Sequence, residues 1–228
     1  MKKILITGAS SGIGAEAARL LAARGDQLVL SGRSASKLEA MGVGGALVAG
    51  DLTSPGFAES LIERAESDLG GIEVVVHCAG VGLIRPAAAT TDAEFTRVMN
   101  VNTRATFLLA RAACEAMAPR KSGQFLAVPG ILGRAPMKGA AAYCASKYAV
   151  SGMLKCFAQE YARAGIRFTQ FFFGGVDSPF WDNLGTSFQR DKMLPVAAAA
   201  AEIVRAIDLP SHAVLAEVVL QPESHQLV

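Results

Sequence analysis

The sequence predicts an α/β fold in which seven parallel strands form a doubly wound sheet with helices on both faces. Seven short apolar runs, each long enough for a buried strand, recur along the 228 residues. Segments with apolar residues at three- and four-residue spacing lie between these runs, and this alternation is typical of a parallel sheet. No composition break or linker divides the chain. We therefore expect a single-domain, Rossmann-type fold over residues 1–228.

Strands and helices alternate along the whole chain. Gly25 and Gly165 stand where the first and fourth helices should stop, since glycine commonly ends a helix. The predicted strands are residues 3–7, 27–31, 46–49, 74–77, 124–128, 167–173 and 213–220. The predicted helices are residues 13–24, 55–69, 95–118, 142–163 and 196–207.

A glycine-rich turn follows the first strand and opens the first helix. Unpaired backbone N–H groups at such a helix start are where a pyrophosphate group binds. The spacing of Gly8, Gly12 and Gly14 is not G-x-G-x-x-G. The prediction of a pyrophosphate site therefore depends on the strand before these glycines and the helix after them. The predicted cofactor contacts in this turn are Gly8, Ser10, Ser11, Gly12, Ile13 and Gly14.

The end of the second strand favours NADP over NAD as the cofactor. An NAD enzyme usually places an acidic residue there to bind the ribose hydroxyl, and this chain has none. Arg33 can instead hold a 2′-phosphate, helped by Ser10, Ser31 or Ser34.

Two further strand ends are predicted to border the same cofactor. Asp51, followed by Leu52, can accept a hydrogen bond from the adenine amino group, or it can cap the helix that follows. The small residues Ala79 and Gly80 permit close approach of the cofactor after the fourth strand. His77, at the end of that strand, is interpreted as a hydrogen-bonded core residue and not as a catalytic one.

Tyr143 and Lys147 are four residues apart in a predicted helix and therefore share one face. An ammonium group near a phenol favours the ionised form and lowers its pKa. The pair thus predicts a proton donor and acceptor that works near neutral pH.

These motifs resemble, in order and spacing, those of the short-chain dehydrogenase/reductase family. The resemblance covers nearly the whole chain and includes Asn102 and the run from Gly174 to Pro179. It implies that Tyr143 is the general acid/base, that Lys147 lowers its pKa and holds the nicotinamide ribose, and that Asn102 anchors a proton-relay water. Asn100, two residues earlier, does not fit the spacing of the family's motifs. The resemblance also adds Tyr143, Lys147, Gly175 and Val176 to the predicted cofactor contacts.

The chain departs from this family at Gly130. Thirteen residues before the tyrosine the family carries a serine that donates a hydrogen bond to the substrate oxygen. Losing one such donor typically costs about 10²- to 10³-fold in rate. A backbone N–H after the glycine or a bound water can take its place, and we expect Gly130→Ser to raise turnover. Two function hypotheses follow: an NADP-dependent carbonyl/alcohol oxidoreductase, or a catalytically impaired NADP-binding homologue that acts as a sensor or subunit partner.

The segment 174–194 is too long for a plain connection and is predicted to be a substrate loop. Its side chains suggest an apolar pocket with polar contacts at the rim. The tail, residues 222–228, is either disordered or docked on a neighbouring subunit. The large apolar residues of the loop are Phe180, Trp181, Phe188, Met193 and Leu194, and its charged residues include Asp182, Arg190, Asp191 and Lys192.

Composition restricts the partners. The net charge of +2 includes no basic block, which argues against nucleic acid. No apolar stretch approaches the ~18 to 20 residues that span a bilayer, and the first residues lack a secretory signal, so we expect a cytoplasmic protein without a membrane partner. The four cysteines show no zinc-type spacing, so no metal site is predicted.

Only 18% of residues are charged, so we expect apolar helix surface to be covered in a homodimer or homotetramer.

Overall fold

A computed structural model describes residues 1–184, 189–224 and 226–227. Its main sheet has seven strands, all parallel, in the order β3-β2-β1-β4-β5-β6-β9. The fold class predicted from the sequence is confirmed. The strands are β1 (Lys3–Thr7), β2 (Gln27–Gly32), β3 (Ala46–Ala49), β4 (Val74–His77), β5 (Gly123–Ala127), β6 (Ile166–Phe173), β7 (Val176–Asp177), β8 (Leu194–Pro195) and β9 (Glu217–Leu220). The α-helices are α1 (Gly12–Ala23), α2 (Ala35–Glu39), α3 (Phe57–Leu69), α4 (Asp92–Val98), α5 (Ala105–Met117), α6 (Ala141–Glu160) and α7 (Val196–Ile207).

The sheet buries both of its faces, which explains why its strands are continuous apolar runs. Successive strand residues point to opposite faces. In β1, Ile4 and Ile6 join the apolar cluster under α1 and α7, whereas Leu5 joins the cluster under α3, α5 and α6. All three side chains are fully buried. The sheet therefore lies between two packed helix layers, which fix the position of its carboxyl edge.

Several element boundaries differ from the prediction, each for a local reason. The last strand begins at Glu217 and not at residue 213, because the preceding residues form a turn in which Ala213 N–H donates to the Pro210 carbonyl. Helix α3 begins after Gly56, whose φ is +76°. The predicted helix 95–118 is two α-helices joined by a π-helical turn, Met99–Arg104, and it begins at a capping box of Thr91 and Glu94.

The described residues of the predicted substrate loop, 174–184 and 189–194, contain short secondary-structure elements. Its ends are joined by the short parallel pair β7 and β8, and a 3₁₀ turn, Pro179–Asn183, follows β7. Arg190 holds this arrangement because its guanidinium donates to Asp177, Asp182 and the Ser178 carbonyl. Phe188, assigned to the pocket from the sequence, lies outside the described residues. Within the described ranges, no helix has both the length and the apolar character that a membrane span requires.

Candidate active site

The parallel strands all end at one edge of the sheet, and the predicted site residues gather there. Gly8 follows β1, Arg33 follows β2 and Asp51 follows β3, while Gly80 lies beyond β4. These positions come from segments spread over the first third of the chain. A cleft outside the carboxyl ends of the strands is the usual ligand position in folds of this kind.

The glycine-rich turn is packed so closely that two of its residues must be glycine. Gly8 has φ +68°, and a Cβ built on it would lie 2.7 Å from the Ala79 nitrogen. A Cβ on Gly14 would lie 2.5 Å from the Gly8 carbonyl oxygen. Such distances are far shorter than van der Waals contact. The turn is thereby held against the end of β4.

The start of α1 has the features of an anion-binding site. Ser11 is the N-cap residue, but its side chain makes no capping hydrogen bond, and the first turn contains no acidic residue. The first N–H groups of a helix have no partner within the helix and favour negative charge. The predicted cofactor contacts from Gly8 to Gly14 thus fit a pyrophosphate group.

Arg33 is exposed beside the glycine turn and forms no ion pair with any described carboxylate. A Cβ on the preceding Gly32 would lie 3.1 Å from Ser10 Oγ, so Ser10 lies over the end of β2. Ser31 is buried, whereas Ser34 caps α2 by accepting from the Lys37 N–H and keeps its hydroxyl proton to donate. Of the three serines named from the sequence, Ser10 and Ser34 are the two that can donate to a 2′-phosphate.

Asp51 does not cap α3, so that reading of the sequence is wrong. The N-cap residue is Gly56, and Asp51 Oδ1 instead accepts from both the backbone N–H and the hydroxyl of Thr53, at 2.8 Å each. These bonds hold the pKa of Asp51 below its usual value, with a smaller contribution from the Arg33 charge. The carboxylate is ionised and exposed, and Leu52 beside it is partly buried.

Asn100 and Asn102 lie on opposite sides of the π-helical turn. Asn100 is exposed and lines a surface pocket of about 390 Å³, away from Tyr143. Asn102 is buried: its Oδ1 accepts from Val81 N–H at 2.8 Å, and its Nδ2 donates to the Val81 carbonyl and to Ser146 Oγ. Asn102, the asparagine that fits the family's motif spacing, is therefore the one that faces the interior.

Ser146 connects Asn102 to the tyrosine helix. Its hydroxyl donates to the Tyr143 carbonyl at 2.7 Å while accepting from the Asn102 amide at 3.0 Å. Ser146 was not among the site residues predicted from the motifs. A polar residue three positions after Tyr143, on the buried face of the helix, was the signal that could have found it.

Tyr143 and Lys147 share the inward face of α6, as their spacing predicts. Lys147 Nζ lies 5.7 Å from the centre of the Tyr143 ring and donates to the Val128 carbonyl at 3.3 Å. A Cβ on Gly80 would lie 3.3 Å from Lys147 Nζ and 3.1 Å from Asn102 Oδ1. The absence of a side chain at Gly80 leaves room for these polar groups. The tyrosine hydroxyl makes no hydrogen bond to a described residue, so it is free to meet a substrate oxygen.

The pKa values of this pair differ from the expectation. Burial lowers the pKa of Lys147 to about 8 and raises the pKa of Tyr143 above its ordinary value. Burial is the main cause of the raised Tyr143 pKa, and Cys144 adds to it; that the Lys147 charge favours the phenolate stays a prediction. Tyr143 is therefore protonated at neutral pH, as a proton donor requires.

His77 is a buried core residue, as interpreted from the sequence. Its Nδ1 lies 2.7 Å from Thr7 Oγ1 and its Nε2 lies 2.8 Å from Thr106 Oγ1. Thr106 already donates its hydroxyl proton to the Asn102 carbonyl, so the histidine must carry its own proton on Nε2 and accept at Nδ1. Burial, followed by the Lys147 charge, lowers the pKa of His77 to about 3. The neutral ring links the first strand to the π-helical turn.

Gly130 has a backbone conformation that is nearly exclusive to glycine, with φ +74° and ψ 171°. A built Cβ would meet only the Phe173 carbonyl oxygen, at 3.7 Å, so space is available but the backbone would be strained. Its own N–H donates to the Phe171 carbonyl. The expectation that Gly130→Ser simply restores a donor is therefore corrected: the backbone here is shaped for glycine.

An apolar wall covers the outer side of Tyr143. The Phe180 ring lies 6.1 Å from the Tyr143 ring and 5.3 Å from the Trp181 ring. Phe180 also lies over Gly82, where a built Cβ would be 2.6 Å from its Cζ. Leu194, assigned to the pocket from the sequence, instead packs in the sheet core, and Met193 packs beside Gly175.

The chain is similar to known oxidoreductases over nearly its full length. A family model described as short chain dehydrogenase matches residues 2–188. An uncharacterized oxidoreductase from Staphylococcus epidermidis is 28% identical over 97% of each chain. Among solved structures, an alcohol dehydrogenase from the archaeon Thermococcus sibiricus, complexed with 5-hydroxy-NADP, superposes with a TM-score of 0.89 at 23% identity over 98% of each chain. A metagenomic short-chain oxidoreductase in complex with NADP superposes with a TM-score of 0.83 at 26% identity over 96% of each chain.

Proposed function

The chain belongs to the short-chain dehydrogenase/reductase family, and from that premise we propose that it is an NADP-dependent oxidoreductase that interconverts a carbonyl compound and an alcohol. Members of this family are dehydrogenases and reductases that use NAD or NADP and act on small molecules. The observation that carries the proposal is the enclosed Tyr143–Lys147 pair with a free tyrosine hydroxyl, located across the cleft from the uncapped start of α1.

In the reducing direction Tyr143 is the proton donor. Its phenol proton moves to the substrate oxygen as the C=O bond becomes C–O–H, and the tyrosine is left as a phenolate. When bound, NADPH supplies the hydride that adds to the carbonyl carbon. The Lys147 ammonium stabilises the phenolate by its charge, and Asn102 fixes the orientation of α6 through Ser146. In the oxidising direction the phenolate takes the proton back.

NADP is favoured over NAD by the exposed and unpaired Arg33 beside Ser10. Two structural neighbours hold NADP-type ligands, which is consistent with this choice. Asp51 and Leu52 border the adenine in this proposal, and Ala79, Gly80, Gly175 and Val176 border the ribose and nicotinamide. The substrate enters under the loop 174–194.

The test is NADPH oxidation over a panel of aldehydes, ketones, diketones and quinones. Tyr143→Phe removes the donated proton and should lower turnover by about 10²-fold or more, because general acid catalysis typically contributes that much. Tyr148→Phe is the matched control, since this exposed tyrosine donates to the Arg134 carbonyl and should retain activity. Both variants should bind NADPH as the wild type does. Equal activity in Tyr143→Phe and wild type would remove the tyrosine from the mechanism.

A second candidate function is favoured by Gly130 specifically. A family member without the usual hydroxyl donor can bind NADP and serve as a sensor or subunit partner with little catalysis. NADPH binding without turnover on any substrate class would support this reading.

We also propose a homodimer or homotetramer. Helices α5 and α6 expose Phe107 and Tyr148, 40% and 44% accessible, together with the small residues Ala145 and Gly152 of α6. The edge strand β9 adds the exposed Val219. Light scattering that reported a mass near 23.7 kDa at micromolar concentration would contradict this assembly.

A further inference from the structure

The C-terminal tail folds back over the domain instead of leaving it. Pro222 is buried beside Gly174, where a built Cβ would lie 2.7 Å from the proline Cδ. The Leu227 N–H donates to Gln221 Oε1 at 2.8 Å, which returns the end of the tail to its start. Ser224 Oγ donates to the Lys192 carbonyl at 3.4 Å and joins the tail to the substrate loop.

Leu227 packs against the apolar cluster that contains Tyr143. Other members of this cluster, such as Ile131 and Phe172, are buried, whereas the apolar side chains packed around it are partly exposed and form its outer surface. These side chains come from the segment after β4, the segment before α6 and the tail. They are Val81, Leu83, Ile84, Met137 and Leu227.

The described charged groups near this surface are paired or exposed, and Arg134, which lies 5.9 Å from the centre of the Phe172 ring, pairs with Glu217. Arg85 pairs with Glu94 at 3.1 Å, while its backbone N–H donates to the Gly139 carbonyl and ties two of the wall segments together. Lys138 is exposed to solvent. Lys147 is the buried cation of the cluster, and it faces the Tyr143 ring. A charged substituent placed against the wall would lose its hydration without gaining a partner.

We propose that the tail forms one wall of the substrate pocket and that Leu227 selects for uncharged carbonyl compounds with an apolar or aromatic substituent. This inference rests on the proposed function, because Tyr143 must be the group that the carbonyl approaches. The carbonyl oxygen meets the Tyr143 hydroxyl, and the substituent lies between Phe180 and Leu227.

The kinetic experiment compares acetaldehyde, benzaldehyde and 4-carboxybenzaldehyde with NADPH as the reductant. These substrates share one aldehyde group and differ in the substituent. Wild type should prefer benzaldehyde in kcat/KM over both of the others. Leu227→Ser should lower the phenyl-to-methyl ratio by about 5- to 10-fold, through KM, since a partly buried leucine contact contributes roughly that factor. Gln221→Leu removes the acceptor for the Leu227 N–H and should cause a smaller change in the same direction.

The matched control is Val214→Ser. Val214 is an apolar residue that is 63% exposed and precedes the amino end of β9, at the sheet edge opposite the cleft. Its substitution should leave the ratio within about twofold, as expected for an exposed contact. A ratio unchanged in Leu227→Ser, or a wild type that prefers the methyl or carboxyphenyl substrate, would overturn the proposal.

A binding experiment separates this inference from the proposed function. Trp181 is the sole tryptophan of the chain and lies beside Phe180, so its fluorescence reports on the pocket. Acetophenone titrated into the NADP-loaded protein should change this fluorescence, with an affinity about 5- to 10-fold weaker in Leu227→Ser. Weaker acetophenone binding in Leu227→Ser, in a protein that shows no turnover, would refute the proposed activity and support Leu227 as part of the pocket wall. Absence of acetophenone binding, or equal affinity in both proteins, would refute the wall even in an active enzyme.

Discussion

The two ends of the cleft are built in different ways. At the cofactor end backbone meets backbone: Gly8 approaches Ala79, and Gly14 approaches Gly8, at distances that exclude a Cβ. At the substrate end side chains from separate segments meet, and Phe180 and Leu227 pack around the cluster that contains Tyr143. At the first end Gly8 and Gly14 exclude a side chain, whereas the second end can change its lining side chains while keeping its backbone.

This difference explains how one scaffold can keep a cofactor and vary its substrate. Backbone contacts at the cofactor end bind groups common to all dinucleotides. Side-chain surfaces at the substrate end determine which carbonyl compound fits. His77 joins the two ends, because it contacts Thr7 before the glycine turn and Thr106 beside Asn102.

The largest effect is expected at this junction, as a function of pH. The pKa of His77 is about 3 in the folded chain and about 6.5 when unfolded, so the unfolded chain binds more protons between these values. Its stability contribution is present above pH 6.5 and is lost as the pH falls toward 3, by up to about 1.4 kcal/mol per pH unit and roughly 5 kcal/mol in all. Urea unfolding across this range measures it. His77→Asn should flatten the pH dependence, and His212→Asn, at an exposed position, should not. Identical slopes for wild type and His77→Asn would refute the linkage.

At the cofactor end, Gly14→Ala should cost about 1–3 kcal/mol of unfolding free energy, because the new methyl group meets the Gly8 carbonyl. The displaced turn should also weaken NADPH binding, measured by fluorescence titration. Gly44→Ala, where a built Cβ meets nothing within 4 Å, is the control and should be nearly neutral. Normal stability and affinity in Gly14→Ala would contradict the idea that this end depends on backbone contact.

At the substrate end, Gly130→Ser should lower the free energy of unfolding by about 1–3 kcal/mol, because a residue with a side chain is forced into a glycine conformation. Turnover should not rise. Gly130→Ala carries the same strain without a hydroxyl and is the control. A higher kcat in the serine variant than in the alanine variant would show that the hydroxyl alone was missing.

The smallest effect is expected at Arg33, whose substitution tests a side-chain contact at the cofactor end and leaves the backbone there unchanged. Arg33→Ala should weaken NADPH binding by about 10-fold through loss of one charge-assisted hydrogen bond, and should leave NADH binding unchanged. Arg19→Ala, at an exposed position on α1 beside Glu16, is the control. An unchanged preference for NADPH would mean that the 2′-phosphate is held elsewhere.

Much of this site could be predicted from residue spacing because the spacing reflects local geometry. Tyr143 and Lys147 share a face in any α-helix because they are four residues apart. Glycines between a strand and a helix indicate a tight turn of the backbone. Other features depended on contacts between distant segments. The burial that raises the Tyr143 pKa, the link from Ser146 to Asn102 and the hydrogen bond from Ser224 to the Lys192 carbonyl are of this kind.

The sequence by itself determined the seven-stranded parallel sheet, the position of the cleft at its carboxyl edge and the inward face of α6, because periodicity and glycine placement act over a few residues. Only the tertiary structure decided which polar groups are free to act. It buried Ser31, bonded Asp51 to Thr53 and left the Tyr143 hydroxyl without a partner among the described residues. It also gave Gly130 a glycine conformation and packed Leu227 against the apolar cluster that contains Tyr143. Burial and hydrogen bonding are properties of neighbours in space, and such neighbours can be far apart in the chain, as Asn102 and Ser146 are at a separation of 44 residues.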